Sequence, residues 1–375
     1  MDALTKIHEW LRYMVSQKAS DLFLTAGFPP ALKLNGKVTP IAKQSLTPTD
    51  TALFAKTLMT ERQYAEYEKH HEANFALFQP EIGRFRVNAF VQQGRAGVVF
   101  RHIITTIPKV EDLHLPPGLK DIAMMPRGLV IMVGATGSGK STTLAAMVGH
   151  RNMHSQDHII TVEDPIEFVH SHGKSIITQR EVGLDTDDWE SALKNTLRQA
   201  PDVILIGEIR DRETMQYAMA YAETGHLCLS TIHANNANQA LDRILNFFAK
   251  ERRDQLLLDL SLNLRAIVSQ RLIRRTDGKG RIPAAEILLN SPLISDLIMQ
   301  GRLDEIKDIM ARSRDLGMQT FDQSLFDLFS IGIISGEDAL RNADSFNDLR
   351  LKIKLHLRDN KGESPTGGLD QVGLV

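Results

Sequence analysis

Leu129-Val130-Ile131-Met132-Val133-Gly134-Ala135-Thr136-Gly137-Ser138-Gly139-Lys140-Ser141-Thr142-Thr143-Leu144-Ala145-Ala146-Met147 decides the reading of this chain. An apolar run of strand type leads into a glycine-rich loop, and Lys-Ser opens a segment of helical composition. That order suits a polyanion. Successive backbone N–H groups and a helix N-terminus can surround phosphate charge only where no Cβ blocks close approach. Gly134, Gly137 and Gly139 clear that space. Ala135, Thr136 and Ser138 complete the loop, Lys140 can reach β- and γ-phosphates, and the Ser141 hydroxyl is of the type that ligates Mg²⁺. The full eight-residue pattern between strand and helix predicts a nucleoside triphosphate site.

Working outward, three further segments place polar groups at the exits of apolar strands. His158-Ile159-Ile160-Thr161-Val162 delivers Glu163 and Asp164, with Pro165 fixing the turn. Two readings stay open: solvated loop acids, or a carboxylate that orients or deprotonates an attacking water. Val203-Ile204-Leu205-Ile206-Gly207 ends in Glu208, which reads either as a solvated acid closing a strand or as the Walker B layout, here with Glu in place of the commoner Asp, in which an acid holds Mg²⁺ directly or through water. Thr224-Gly225-His226 and Ile232-His233 bracket a third strand. Seven residues apart on a strand, the two histidines face opposite sides and are poor partners for one metal. His233, at the exit, is placed to sense a γ-phosphate, and either histidine alone reads equally as structural.

Around this centre the pattern is strand alternating with helix. Strands are expected at 129–133, 158–162, 203–207 and 226–232, with helices over Trp189–Gln199 and Glu213–Tyr221. Repeated β–α–β units predict a parallel sheet with its ligand at the C-terminal strand ends. Residues 241–273 and 294–355 carry helical spacing, and 274–281 reads as a basic, solvated turn. Upstream lies a helix over 4–17, strands near 22–24, 31–34 and 38 with a tight Asn35-Gly36 turn, a helix over 48–69, and a β-meander at 74–78, 83–90 and 96–104. The expected organisation is an α+β domain over 1–105, a Pro-rich linker at 106–118 and an ATPase core over 119–290. Helices follow at 291–358, and the Gly-, Ser- and Pro-bearing tail 359–375 reads as disordered.

Composition narrows the classes. The 375 residues are 42% hydrophobic and 24% charged, with a formal net charge of −2. That balance gives no general pull toward nucleic acid, which argues against a DNA translocase. The single cysteine, Cys228, excludes an internal disulfide framework or a four-cysteine zinc module. No apolar run approaches the roughly 18 residues that span a bilayer, and the first ten residues lack a signal-peptide core, so a cytoplasmic protein without a membrane span is expected, with peripheral docking at the inner membrane face left open.

The four strand-exit segments resemble the Walker A, Asp, Walker B and His boxes of secretion-superfamily ATPases. Ser20-Asp21-Leu22-Phe23-Leu24-Thr25-Ala26-Gly27-Phe28-Pro29-Pro30, Gly83–Phe90 and Gly317-Met318-Gln319-Thr320-Phe321-Asp322-Gln323-Ser324-Leu325 are similar to segments of the type IV pilus retraction ATPases, the PilT/PilU family. The likeness runs from about residue 4 to about residue 355. It implies a PAS-like N-terminal domain, a RecA-like P-loop domain and C-terminal helices. It also implies Lys140 with Ser141 and Thr142 on phosphate and Mg²⁺, Glu163 as catalytic glutamate, Glu208 as Walker B acid and metal ligand, and His233 in the His box. Arg86 and Arg101 are implied as arginines acting on a neighbour's site in a ring hexamer. Arg84 shares a strand face with Arg86, which leaves open which arginine acts. Implied partners are further copies of the chain, a PilT-type paralogue and the inner-membrane pilus platform protein. One segment departs from the retraction pattern: at Leu293–Arg302 the apolar spacing is kept, but Ser295-Asp296 replaces an Arg-Asn pair. That points toward the accessory PilU branch. It keeps open an ATP-binding subunit dependent on an active PilT-type paralogue, beside a type II secretion or pilus extension ATPase.

Overall fold

The computed structural model describes residues 2–34, 36–103 and 106–361. The chain forms two compact units: Met1–Ile107 with the short segments Pro165–His170 and Gly183–Asp185, and Pro108–Asp164 with Ser171–Val182 and Thr186–Val375.

The first unit contains α1 (Ala3–Ser16), β1 (Asp21–Thr25), β2 (Ala31–Leu34), β3 (Lys37–Pro40), α2 (Pro48–Leu58), α3 (Glu61–His70), β4 (Glu72–Gln79), β5 (Gly83–Gln92) and β6 (Arg95–Ile103). Its six strands form one antiparallel sheet in the order β3-β2-β1-β6-β5-β4. Strand alternation sorts β5 cleanly: Phe85, Val87 and Ala89 are buried with Ile7, Leu11 and Met14 of α1 and Phe54 of α2, while Arg84, Arg86 and Asn88 take the other face. The expected helix over 48–69 is two helices. Met59 is extended, and Thr60 starts a new N-terminus through a reciprocal cap with Gln63. Asn35 of the expected turn lies outside the described residues, as does Ile104 at the end of the expected meander.

The second unit contains α4 (Gly118–Ala123), β7 (Gly128–Val133), α5 (Lys140–His154), β8 (His158–Glu163), β9 (Ile176–Glu181), α6 (Trp189–Thr196), β10 (Val203–Ile206), α7 (Arg212–Glu223), β11 (Leu227–Ile232), α8 (Ala237–Asn246), α9 (Arg253–Asn263), β12 (Leu264–Arg274) and β13 (Arg281–Leu289). Helices α10 (Pro292–Met299), α11 (Ile306–Arg312), α12 (Phe321–Ser330), α13 (Gly336–Arg341) and α14 (Phe346–Lys361) complete it. The seven-stranded sheet runs β13-β12-β7-β11-β10-β8-β9, parallel throughout except for β13. Every residue of β7 is buried. Leu129, Ile131 and Val133 enter the apolar layer under α6–α9, and Val130 and Met132 enter the opposite layer with Leu144 and Met147 of α5. A sheet covered on both faces explains the unbroken apolar run.

Three expectations need correction. Residues 264–273, expected within a helical stretch, form β12 together with Arg274 of the expected turn, and 281–289 pair with it as the antiparallel strand β13. β9 was not expected at all. The final helix runs to Lys361, three residues into the stretch expected to be disordered, and residues beyond 361 lie outside the described part. The Pro-rich stretch holds no regular element before Gly118, yet Val110 and Leu115 are buried in the second unit's core. No helix among the described residues is long and apolar enough to cross a membrane.

Candidate functional site

The phosphate loop joins β7 to α5. Gly134, Gly137 and Gly139 all take positive φ, at 152°, 77° and 91°. Gly134 and Gly139 are also sterically required. A Cβ on Gly134 would lie 2.4 Å from Ser138 Oγ and 2.7 Å from the Gln270 carbonyl oxygen. One on Gly139 would lie 2.6 Å from Gln270 Nε2. The loop therefore closes against β12 in a shape open only to glycine.

Lys140, 8% exposed, donates from Nζ to the carbonyls of Gly134 at 2.7 Å and Ala135 at 3.0 Å. Burial pushes its pKa down, and the nearby Glu208 carboxylate opposes that. Ser141 is exposed and Thr142 half-buried at the first turn of α5. Ser138 Oγ is buried and has no hydrogen-bond partner among the described residues. An orphaned hydroxyl, a cradle closed to Cβ atoms and an exposed serine hydroxyl at a helix N-terminus form a donor set suited to a phosphate chain and a hard cation. No cluster of three histidine, cysteine or carboxylate side chains with metal-holding geometry occurs among the described residues. Mg²⁺ needs none, because it keeps several waters and takes only one or two protein ligands.

The exits of β8, β10 and β11 lie side by side, since Ile206 pairs with Val162 on one flank and with Ser230 on the other. Glu208 Oε1 lies 3.3 Å from His233 Nε2, while its Oε2 accepts from Arg210 Nε at 2.8 Å. Arg210 Nη1 is also 3.6 Å from Asp164. Glu163 Oε1 accepts from Thr161 Oγ1 at 2.7 Å and from Gln179 Nε2 at 3.3 Å. Gly207 lets these exits close up, since a Cβ there would sit 3.2 Å from the Glu163 Cα. The structure thus groups Lys140, Glu208 and His233, with Glu163 beside them. His226 stands apart from this cluster. Its Nδ1 lies 3.0 Å from Thr224 Oγ1, within the turn that precedes β11.

Arg86 and Arg101 belong to the first unit, directly paired across β5 and β6. Arg101 donates from Nε to Asp21 at 2.9 Å, whereas Arg86 makes no ion pair among the described residues. With Asn74, Asn88 and Val99 they line a cavity of about 300 Å³ on that polar sheet face.

Sequence reasoning missed three contributors. Arg210 ties both acidic segments together, two residues past the Walker B acid. Gln270 and Arg271 line a cavity of about 330 Å³ with Gly134–Ser138, and Gln270 also lines a second of about 200 Å³ with Thr142 and Thr143. Both residues sit on β12, and no motif marks them. The only local signal was the β-branched cluster Ile267, Val268 and Ile273 within a supposed helix.

Residues 4–314 match the family described as type II/IV secretion system protein. The type IV pilus ATPase PilU of Pseudomonas aeruginosa is 58% identical over 345 residues, 92% of this chain and 90% of that protein. The type IV pilus retraction ATPase PilT of the same organism is 40% identical, covering 90% of this chain and 98% of that protein. A crystal structure of the pilus retraction motor PilT with bound ADP matches with a TM-score of 0.86 at 38% identity, over 92% of this chain and 99% of that one. The phosphate loop, the acids at adjoining strand exits and this likeness along nearly the whole chain agree, and the chain belongs to the type II/IV secretion system protein family, in its PilT/PilU branch of type IV pilus ATPases.

Proposed function

We propose that this chain hydrolyses ATP to ADP and phosphate at the β7–α5 loop and powers type IV pilus retraction as a PilU-like accessory motor. The observation that carries the reading is the convergence of Lys140, Glu208 and His233 on one edge of the sheet, with Arg210 bracing the acid. The backbone amides of 134–142 cradle the phosphates, and Lys140 moves from the loop carbonyls to the β/γ-phosphate oxygens. Ser141 and Glu208 would hold Mg²⁺, and the ion would supply charge neutralisation for the phosphates. Glu163, held by Thr161 and Gln179, orients the attacking water and takes its proton. His233, tied to Glu208, registers whether the γ-phosphate is present. The cavity between α5 and β12–β13 takes the base, since Leu115, Leu272 and Pro283 give it apolar walls.

The working unit is a cytoplasmic ring hexamer, docked on the inner-membrane pilus platform and acting with a PilT-type paralogue. Arg86 and Arg101 act on a neighbouring copy's site, and Arg86 is the better candidate because Arg101 is engaged by Asp21. An arginine supplied in trans is worth roughly 10³–10⁵ in rate in other nucleotide hydrolases. Loss of the γ-phosphate changes these contacts, and that differential interaction supplies the free energy for movement.

The test is steady-state phosphate release from Mg–ATP, with and without a PilT-type partner. Release in the first condition supports a self-sufficient ATPase. Release by the mixture above that of the partner alone, lost with Lys140→Ala in this chain, supports an accessory one. No contribution from this chain in either condition overturns the reading.

A further inference from the structure

Gln270 is 3% exposed on β12, and among the described residues its side chain makes two hydrogen bonds, both to the segment that carries the phosphate loop. Its Nε2 donates to the Ser138 carbonyl at 2.9 Å, and its Oε1 accepts from Thr143 Oγ1 at 2.7 Å. Ser138 lies inside the glycine-rich loop and Thr143 in the first turn of α5, so one amide spans the point where loop becomes helix. The strand beneath is fixed: β12 pairs with β7 in parallel register, Ser269 opposite Val133, which brings Gln270 level with Gly134. The Gln270 backbone carbonyl is struck, after Ser138 Oγ, by a Cβ on Gly134, and its side-chain amide is the group nearest a Cβ on Gly139.

We propose that Gln270 is a positioning residue for the nucleotide, holding the phosphate loop in its receptive shape by clamping Ser138 to Thr143. This rests on the nucleotide reading of that loop. A loop with three glycines at positive φ has much conformational freedom to lose when its amides converge on phosphate. A buried amide that satisfies one carbonyl and one hydroxyl removes part of that freedom before the ligand arrives, and preorganisation of this kind appears as affinity. The amide suits the task because it donates and accepts at once. A carboxylate in its place turns an acceptor toward the Ser138 carbonyl, and only its protonated form restores the donor.

The test is binding of fluorescent N-methylanthraniloyl-ADP to the full chain, with Tm recorded for each variant. Gln270→Ala is expected to bind about tenfold more weakly, with KM for ATP rising more than kcat falls. In Gln270→Glu burial raises the introduced acid's pKa, so its affinity relative to the unaltered protein recovers several-fold as pH falls from 8 to 6. A structural defect alone produces no such pH-dependent rescue. Thr143→Val keeps the volume and removes only the hydroxyl, and it is expected to weaken binding about threefold, while Thr143→Ser restores it. Full affinity in Gln270→Ala or in Thr143→Val, or a flat relative pH profile in Gln270→Glu, overturns the clamp. Failure of the unaltered protein to bind the probe overturns the nucleotide reading instead.

Discussion

The two flanks of the phosphate loop are built on different principles. On the β11–β10–β8 flank, short apolar strands end in ionisable groups that keep part of their surface exposed: Glu208 lies against His233, and Arg210 reaches Glu208 and Asp164. On the β12–β13 flank Gln270 and Glu286 are buried, Arg271 is half-buried, and all three are committed to internal partners. Gln270 is spent on the loop, Arg271 on Asp344 and the Asn235 carbonyl, and Glu286 on the Ala237 N–H and Ser269 hydroxyl. Chemistry needs groups free to change partners, and support needs groups that cannot. The acidic flank is therefore where substitution should abolish turnover, and the β12 flank is where it should alter affinity or stability.

The largest effect that would break this division is expected at Glu163. Glu163→Gln should lower kcat by about 10²–10⁴ while leaving ADP affinity near that of the unaltered protein. Phosphate release near the unaltered rate would strip Glu163 of the role and place the catalytic carboxylate elsewhere. On the other flank, Arg271 donates to Asp344, Asn342 and Asn235, stacks over the Phe321 ring with 4.0 Å to its centroid, and shares Asp344 with Lys307. Arg271→Ala leaves the nearly buried Asp344 half-compensated. In a denaturant titration the loss should be about 3 kcal/mol. A change below about 0.5 kcal/mol would show that Lys307 alone satisfies Asp344.

The contrast also explains what could be read without coordinates. Glu163, Glu208 and His233 stand out in the sequence because each follows the end of an apolar run, and Lys140 because it closes a glycine-rich loop between strand and helix; both are strong local signals. Gln270 was hidden by ambiguous periodicity. Leu256, Leu260, Leu264 and Ile267 continue a helix-compatible spacing across the point where α9 becomes β12. β12 lies between β7 and β13 and is buried on both faces, so it lacks the two-residue alternation that betrays an exposed strand. β9 failed for the opposite reason: it is an edge strand whose Ile176-Ile177-Thr178-Gln179-Arg180-Glu181 has little apolar content. The break at Met59-Thr60 was visible in principle, since Thr60-x-x-Gln63 is a capping signature, but helical spacing on both sides masks it.

A smaller effect sharpens the boundary between the flanks. Arg210 is half-exposed, and its ion pairs among the described residues are with Glu208 and Asp164, which suits a group that orients Glu208. Arg210→Ala should cost about tenfold in kcat, close to the worth of one charge-assisted hydrogen bond, with fold stability unchanged. A loss as deep as that of Glu163→Gln would move Arg210 from bracing group to reacting group.

The smallest effect is a slope. Glu286 is 2% exposed on β13, and burial pushes its pKa to about 7, from an ordinary 4.5. Asp344 adds to the rise, while the Ala237 N–H, the Ser269 hydroxyl and Lys307 oppose it. A raised acid pKa means that the folded chain holds a proton the unfolded chain has already lost. Between about pH 4.5 and 7 this group therefore takes stability away as pH rises, by up to about 1 kcal/mol per pH unit, and it contributes no slope above or below that window. Glu286→Gln retains an acceptor for the Ala237 N–H and removes the proton. Denaturant midpoints measured from pH 5 to pH 7 should fall less steeply with rising pH in the variant than in the unaltered protein. Identical slopes would mean that Glu286 is ionised throughout and that Lys307, with the two neutral donors, outweighs its burial. The β12–β13 flank would then hold two carboxylates, at 286 and 344, on the same basic partner, and its support of the loop would be electrostatic instead of neutral.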